Sequence, residues 1–252
     1  MTAWPWIALA GGGVGLLVGL FGVGGSSVAT PVLGLLGVPG LAAVASPIPA
    51  TIPAALSGAH AYVRSGDVHA ATVRRSLLGA VPATVVGALL SRAVGGHALL
   101  IASGVVLAVV GLRVVRPVPE ADRRAGAGRR QRPVLVVAAA AGVGLFTGLL
   151  ANGGGFLLVP LYLLVLGLPM RPAAGTSLVV ITVLSVPTLI THWALGNIDW
   201  VVAAAFAAGA VPGAVAGSRL AGRLVEQALQ RAFGWLLIVF ATFFTVQQVL
   251  TG

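Results

Sequence analysis

The sequence predicts an all-α fold, a polytopic membrane helical bundle built of two inverted repeats, each a glycine-broken hairpin plus three full crossings. Three observations lead to this prediction. Of the 252 residues, 58% are hydrophobic and only 8% are charged, whereas about a quarter of the residues of a soluble domain are charged. Long uncharged stretches recur along the chain, and its two halves share one pattern of glycines and prolines. We therefore expect a multi-pass protein of the plasma membrane or the bacterial inner membrane.

The basic residues indicate membrane topology. All 15 of them are arginine, and seven lie between residues 112 and 134. Such a cluster is typical of a cytoplasmic loop, so we predict no nucleic-acid partner despite the net charge of +10. Cysteine is absent, which excludes thiolate metal sites and thiol nucleophiles. We expect no metal site and no cofactor.

The chain contains one unit twice, because residues 15–111 align with residues 144–241. The division is a first transmembrane repeat (1–115), a cytoplasmic Arg-rich linker (116–133) and a second transmembrane repeat (134–252). Positions in register include Gly15, Gly19, Gly24, Gly25 and Pro31 with Gly144, Gly148, Gly153, Gly154 and Pro160, and further along Gly66, Gly79 and Pro82 with Gly196, Gly209 and Pro212. A duplicated architecture explains this match better than chance.

Each repeat opens with an uncharged run that is too long for one helix. Residues 7–38 would extend roughly 48 Å as a helix, against a hydrocarbon core of about 30 Å. Glycines interrupt both runs near their middle, in "FGVGGSS" at 21–27 and "LANGGGF" at 150–156. Since each glycine costs about 1 kcal/mol in a helix interior, we predict a break there, with one short helix on each side.

The arginines distinguish a hairpin from a broken helix that crosses once. With the linker in the cytoplasm, a hairpin places Arg219, Arg223 and Arg231 inside and the arginine-free loop 196–199 outside. A single crossing reverses both assignments. Three further apolar stretches follow each hairpin, so every repeat crosses an odd number of times and the two repeats are inverted. Arg92, on the outer side, departs from this pattern.

The breaks predict an anion site at the membrane midplane. Helices resuming from about Ser26 and Gly154 would point their N-termini inward, and each terminus carries unpaired N–H groups and about half a positive charge. An anion can bind there without a buried cation. The candidate substrate-binding residues are Gly24, Gly25, Ser26, Ser27, Asn152, Gly153, Gly154 and Gly155, with Ser46 and Thr176 as possible hydroxyl donors.

Two alternatives concern these residues. The glycines could serve close helix packing alone, a role we expect for Gly209, whose replacement by alanine should cost only modest stability. The hydroxyls of Ser46 and Thr176, which correspond under the repeat, could bond to carbonyls of their own helices.

Other polar residues suggest weaker hypotheses. His60 and His192 could carry a coupling proton or simply lie at the membrane interface. No acidic residue lies deep in a span, so a carboxylate relay has no candidate. In "LSGAH", Ser57 and His60 could suggest an intramembrane serine hydrolase, but they share one helix face, and Ala55 stands where rhomboid-like proteases have glycine. We predict that the protein is not an enzyme.

Two segments, "GLLVGLFGVGGSSVATPVL" and "GLFTGLLANGGGFLLVPLY", resemble the duplicated glycine-rich motif of the TauE/SafE family of sulfite exporters and sulfonate permeases. "AAGTSLVV" at 173–180 resembles the Thr-Ser stretch of that family, and this resemblance adds Ser177 to the candidate substrate-binding residues. The first copy departs from the motif, with Ser26 in place of the third glycine and "VASPIPATIP" at 44–53 where the second has Thr176-Ser177.

The resemblance implies a secondary transporter of a small anion, such as sulfite, a sulfonate or another organosulfur anion. It would work by alternating access at a midplane site between the two hairpin tips. An anion channel and a non-transporting membrane scaffold stay open as alternatives. The partners are then the small anionic substrate and the lipid bilayer, with a coupling proton and an oligomer left open.

Overall fold

The computed structural model describes residues 4–90, 108–115, 133–150 and 156–251, and this part of the chain is helical with no strand. In chain order the helices are α1 (Trp4–Phe21), α2 (Gly25–Leu35), α3 (Gly40–Ala45), α4 (Ile48–Arg64), α5 (Ala70–Leu90), α6 (108–115), α7 (Pro133–Leu150), α8 (Leu158–Leu164), α9 (Met170–Ala194), α10 (Trp200–Arg223) and α11 (Glu226–Thr251). Four helical segments within the described ranges are long and apolar enough to cross a membrane: Trp4–Phe21, Gly40–Arg64, Met170–Ala194 and Trp200–Arg223. The prediction of an all-helical, multi-pass membrane fold is confirmed.

The first uncharged run breaks where its glycines predict. Helix α1 ends at Phe21, Gly22 has a φ of 71°, and α2 begins at Gly25. A Cβ added to Gly25 would lie 3.3 Å from Val18 Cγ2 and 3.7 Å from Val14 Cγ1. In a continuous helix Gly25 and Val14 would be roughly 16 Å apart. The chain therefore turns back along α1 and forms a hairpin.

The second uncharged run is also divided into two helices. Helix α7 ends at Leu150 and α8 begins at Leu158 after a turn at residues 156–157. The expected restart at about Gly154 lies outside the described residues, and the described helix starts four positions later. Pro160 lies in the first turn of α8, where its missing N–H removes no helical hydrogen bond.

Helices α1 and α10 pack backbone against backbone along a row of glycines. A Cβ on these glycines would overlap main-chain atoms of the facing helix, so only glycine permits the approach. On α1 they are Gly11, Gly15 and Gly19, which face Phe206, Ala210 and Ala214; on α10 they are Gly209, Gly213 and Gly217, which face Ala8, Gly12 and Leu16. The residue numbers of the facing positions increase together along the two helices, so the helices run parallel.

The expectation of a modest cost for alanine at Gly209 is wrong. Its Cβ position lies directly against the carbonyl oxygen of Ala8 and 2.6 Å from the nitrogen of Gly12. These are backbone atoms that cannot move without separating the helices, so the added methyl group has no free space.

A second interface repeats the same contacts. Helix α5 approaches α7 through Gly79, which faces Val137 and Ala141, and through Gly144, which faces Ala80. In the alignment of the two repeats, these pairs correspond to Gly209 with Ala8 and Gly12, and to Gly15 with Ala210. The first helix of each repeat, α1 or α7, therefore packs against the equivalent helix of the other repeat, α10 or α5.

The equivalent helices α4 and α9 contact each other in opposite directions. A Cβ on Gly58 would lie 3.3 Å from Leu178 Cδ1, whereas one on Gly175 would lie 2.7 Å from Tyr62 Cβ. Residue numbers therefore increase along α4 in the direction in which they decrease along α9, so the two helices are antiparallel. Helix α4 also packs against α1 and α10, and α9 also packs against α5, so the pair connects the two glycine-rich interfaces.

Candidate functional site

The first tip, which we define as residues 22–26, is packed against α9. A Cβ on Gly22 would lie 2.5 Å from Ala174 Cα, so a side chain is excluded there by space as well as by φ. Val23 is fully buried, and Ser26 is only 3% exposed. The tip therefore lies inside the protein, as irregular backbone at membrane depth requires.

The two helix ends at this tip differ in their hydrogen-bond partners. Tyr62 donates its hydroxyl to Gly19 O (2.9 Å) and Leu20 O (3.2 Å), which are among the carbonyls left unpaired at the end of α1. The N-cap of α2 is Gly24, which provides no side-chain cap. The negative end of α1 is thus covered by a neutral donor, while the N-cap residue of α2 supplies no side-chain acceptor at its positive end.

Two buried hydroxyls near the tip lack a hydrogen-bond partner among the described residues. They are Ser26 Oγ, in the first turn of α2, and Ser177 Oγ, on α9. Ser177 follows Ala174, the residue under Gly22, by three positions and so shares its helix face. A buried hydroxyl without a partner costs about 1–3 kcal/mol, so each of the two is a candidate donor to a bound anion.

Thr51, on α4, lies beside the first tip and was missed by the sequence interpretation. Its Oγ1 lies 3.5 Å from the Cβ position of Gly25, and it donates to Pro47 O at 3.0 Å. Its hydrogen is therefore engaged within α4, which distinguishes it from the two unpaired serines. Thr51 belongs to the segment "VASPIPATIP", which aligns with the region of the Thr-Ser stretch in the second repeat. This alignment was the sequence signal that could have identified it.

Ser46 and Thr176 do not bond to their own helices. Ser46 Oγ accepts from the backbone N–H of Asp199 at 3.1 Å, and Thr176 Oγ1 accepts from the backbone N–H of His69 at 3.2 Å. Both side chains are fully buried. Each hydroxyl thus binds the opposite half of the chain through its oxygen, and the back-bonding alternative is wrong for both.

Several predicted residues cannot be placed at the tip. Asn152, Gly153, Gly154 and Gly155 lie outside the described residues, as does the side chain of Ser27. His60 is exposed on α4 and Ser57 is half-buried. His192 is half-buried near the end of α9, where its Nδ1 lies 3.4 Å from Asn197 Nδ2. His60 is therefore on the exposed face of α4, and His192 makes a contact at the end of α9.

Comparison with known proteins identifies the family. The family model described as "Sulfite exporter TauE/SafE" matches residues 7–244. The chain belongs to this family. It is 30% identical to a "Probable membrane transporter protein" of Xylella fastidiosa (strain 9a5c) over 249 residues, 93% of this chain and 92% of that relative. It is also 26% identical to the "Probable membrane transporter protein YunE" of Bacillus subtilis (strain 168) over 227 residues, 81% and 82% of the two chains.

No solved structure matches this TauE/SafE chain. The family and the relatives establish a multi-pass membrane transporter and not an enzyme, so the intramembrane hydrolase alternative is set aside. The resemblance seen in the glycine-rich segments is confirmed over nearly the whole chain.

Proposed function

We propose that this transporter moves a small sulfur-containing anion, such as sulfite or a sulfonate, and binds it at the first tip. The observation that carries the proposal is the pair of unpaired hydroxyls, Ser26 and Ser177, beside the uncapped N-terminus of α2. Hydroxyl groups and backbone N–H groups are donors, and several converging donors suit the oxygens of a sulfite or sulfonate group.

The proposed site provides neutral donors and no cation. Residues 7–38 carry no charge, and Arg171, at the start of α9, donates to the carbonyls of Ala221, Gly222 and Leu224. The favourable field comes from the end of α2, worth about half a charge. Binding of this kind is moderate, which suits a carrier that must also release its substrate.

By the register of the repeat, the second tip contributes to the same site. Asn152, Gly153 and Gly154 correspond to the residues around Gly24 and Gly25. We therefore keep Ser27, Asn152, Gly153, Gly154 and Gly155 in the proposed site and leave out Ser46 and Thr176, whose oxygens accept from the backbone N–H groups of Asp199 and His69.

Alternating access between two inverted repeats is the proposed mechanism. Two contacts support inversion: the equivalent helices α4 and α9 run antiparallel, and α1 runs parallel to α10 of the other repeat. Inverted repeats allow the two halves to exchange conformations around a central site.

The test is anion binding and flux in proteoliposomes, with sulfite, methanesulfonate and acetate as the probes. Replacing Ser177→Ala removes one neutral donor worth about 0.5–1.5 kcal/mol, so sulfite affinity should fall from about twofold to about tenfold. The matched control is Thr182→Val on the same helix, whose hydroxyl donates to Leu178 O in its own helix; it should bind as the parent does.

Wild-type affinity in Ser177→Ala, or an equal loss in Thr182→Val, would contradict the site. Efflux of labelled sulfite should also accelerate when unlabelled sulfite is added on the opposite side. An efflux rate that ignores the opposite side would indicate a channel instead of a carrier.

A further inference from the structure

The hydrogen bonds of Ser46 and Thr176 are one contact made twice. Ser46 and Thr176 are 130 positions apart, and so are their partners His69 and Asp199. The Ser46 bond joins Ser46 Oγ to Asp199 N, and the Thr176 bond joins Thr176 Oγ1 to His69 N. Each bond therefore links one repeat to the start of a helix in the other repeat, α10 or α5.

The two bonds lie at opposite ends of the α4 and α9 pair. Gly175, next to Thr176, contacts Tyr62 near the end of α4. Ser46 precedes α4 and lies sixteen positions before Tyr62, a distance of roughly 24 Å at helical rise. One bond is thus close to each end of the bundle.

The surroundings of the two bonds are unequal. A small separate cluster of buried residues adjoins the Ser46 bond on one side: Ala45, Ile48, Ile198 and Ala203, with Leu189 against them, while Ala43 belongs to the main core. The neighbours of Thr176, such as Ala173 and Leu178, belong to the main core. An element with fewer buried apolar contacts opens at a lower free-energy cost, so the Ser46 end should separate more readily.

We propose that the Ser46 bond and the Thr176 bond each hold the two repeats together at one face of the membrane, and that one is released while the other stays formed. This inference rests on the proposed alternating access. Both N–H groups stand at or just before a helix start, where helical partners are lacking. When one end opens, entering water replaces the hydroxyl as partner of the N–H, whereas the closed end stays dry and keeps its bond.

The absence of cysteine from the chain allows single reporter thiols. Ala43 and Ala173 are equivalent alanines, 2% and 0% exposed, and each precedes its hydroxyl residue by three positions on the same face. We would introduce Ala43→Cys and Ala173→Cys separately and measure the rate of maleimide labelling in proteoliposomes without substrate.

Ser46→Ala should raise the labelling rate at position 43 by roughly three- to tenfold and leave position 173 unchanged. Thr176→Val should do the reverse, and the smaller Thr176→Ala replaces it if that variant does not fold. Thr176→Ser, which keeps the hydroxyl, and Thr182→Val, which removes one bonded within α9, should label as the parent does.

Faster labelling at both reporters in either variant would show general loosening and overturn the inference, as would unchanged labelling at both. The readout needs no substrate, so it separates the two proposals. End-selective labelling in a chain that does not carry sulfite would refute only the proposed substrate. Sulfite transport without end-selective labelling would refute only the role of these bonds.

Discussion

The interface between α1 and α10 and the interface between α7 and α5 use the same positions of the repeat but different residues. Where the first has Gly11 and Gly213, the second has Ala140 and Ala83. Gly11 faces the backbone of Phe206 and Gly213 that of Gly12, whereas the α7 and α5 interface accommodates a methyl group at both equivalent positions. The same architecture is therefore held more tightly on one side than on the other.

Polar contacts at the helix ends increase this difference. Arg171 binds the end of α10, but its equivalent in the first repeat is Leu41, which is 68% exposed. Tyr62 covers the end of α1, but its equivalent is His192, whose ring lies near Asn197 in the loop after α9. Contacts present in both repeats establish the common fold, and contacts present in one make the two halves energetically unequal.

The largest expected effect tests the shared glycine contacts. Gly209→Ala places a methyl group against the backbone of Ala8, so its cost should reach or exceed the upper end of the usual 1–3 kcal/mol for overpacking. Gly79→Ala, the equivalent change against Val137, should be nearly as costly. Thermal unfolding of the purified protein in detergent measures both.

Matched controls exist in both interfaces. Gly13 and Gly142 are equivalent, and a Cβ on either meets nothing within 4 Å. Alanine at these positions should be neutral or stabilising by up to about 1 kcal/mol, because glycine disfavours helix. If Gly79→Ala were as stable as the parent while Gly209→Ala unfolded, the two interfaces would not be equivalent.

A smaller effect is expected from the contact that only the second repeat has. Arg171→Gln removes the charged donor that binds Ala221 O, Gly222 O and Leu224 O at 2.7–3.1 Å. Since part of the side chain is exposed, we expect a loss of about 1–2 kcal/mol in unfolding free energy. Leu41→Gln in the first repeat should change it by less than about 0.5 kcal/mol. Equal losses in the two variants would remove the asymmetry between the repeats.

The smallest expected effect compares Tyr62 with its equivalent. Tyr62→Phe keeps the ring but leaves two carbonyls of α1 without their donor, and should cost about 0.5–1.5 kcal/mol. His192→Gln should leave sulfite transport and its pH dependence intact, because His192 lies in a helix-end contact away from the tip. Transport that loses its pH dependence in folded His192→Gln would instead assign the histidine a coupling role.

The first tip shows how far sequence reasoning reaches into the site. The break was predictable because the helix cost of glycine is local, and Ser26 was predicted from its place beside it, whereas Ser177 was indicated by the resemblance to the Thr-Ser stretch of the family. Tyr62 was missed, since a tyrosine near the end of an apolar stretch is also typical of the membrane interface. Only the folded chain brings its hydroxyl to carbonyls 42 and 43 positions away.

The sequence by itself determined the membrane environment, the internal repeat of its glycines and prolines and the position of the first break, because hydropathy, charge and glycine content act along the chain. Tertiary structure decided which glycines are indispensable: Gly13 and Gly209 look alike in sequence, but only Gly209 faces another backbone. It also decided the partners of Ser46 and Thr176, which are main-chain N–H groups 153 and 107 positions away. Every residue except proline has such an N–H group, so no residue type could have indicated these partners, and only the packing of one repeat against the other selects them.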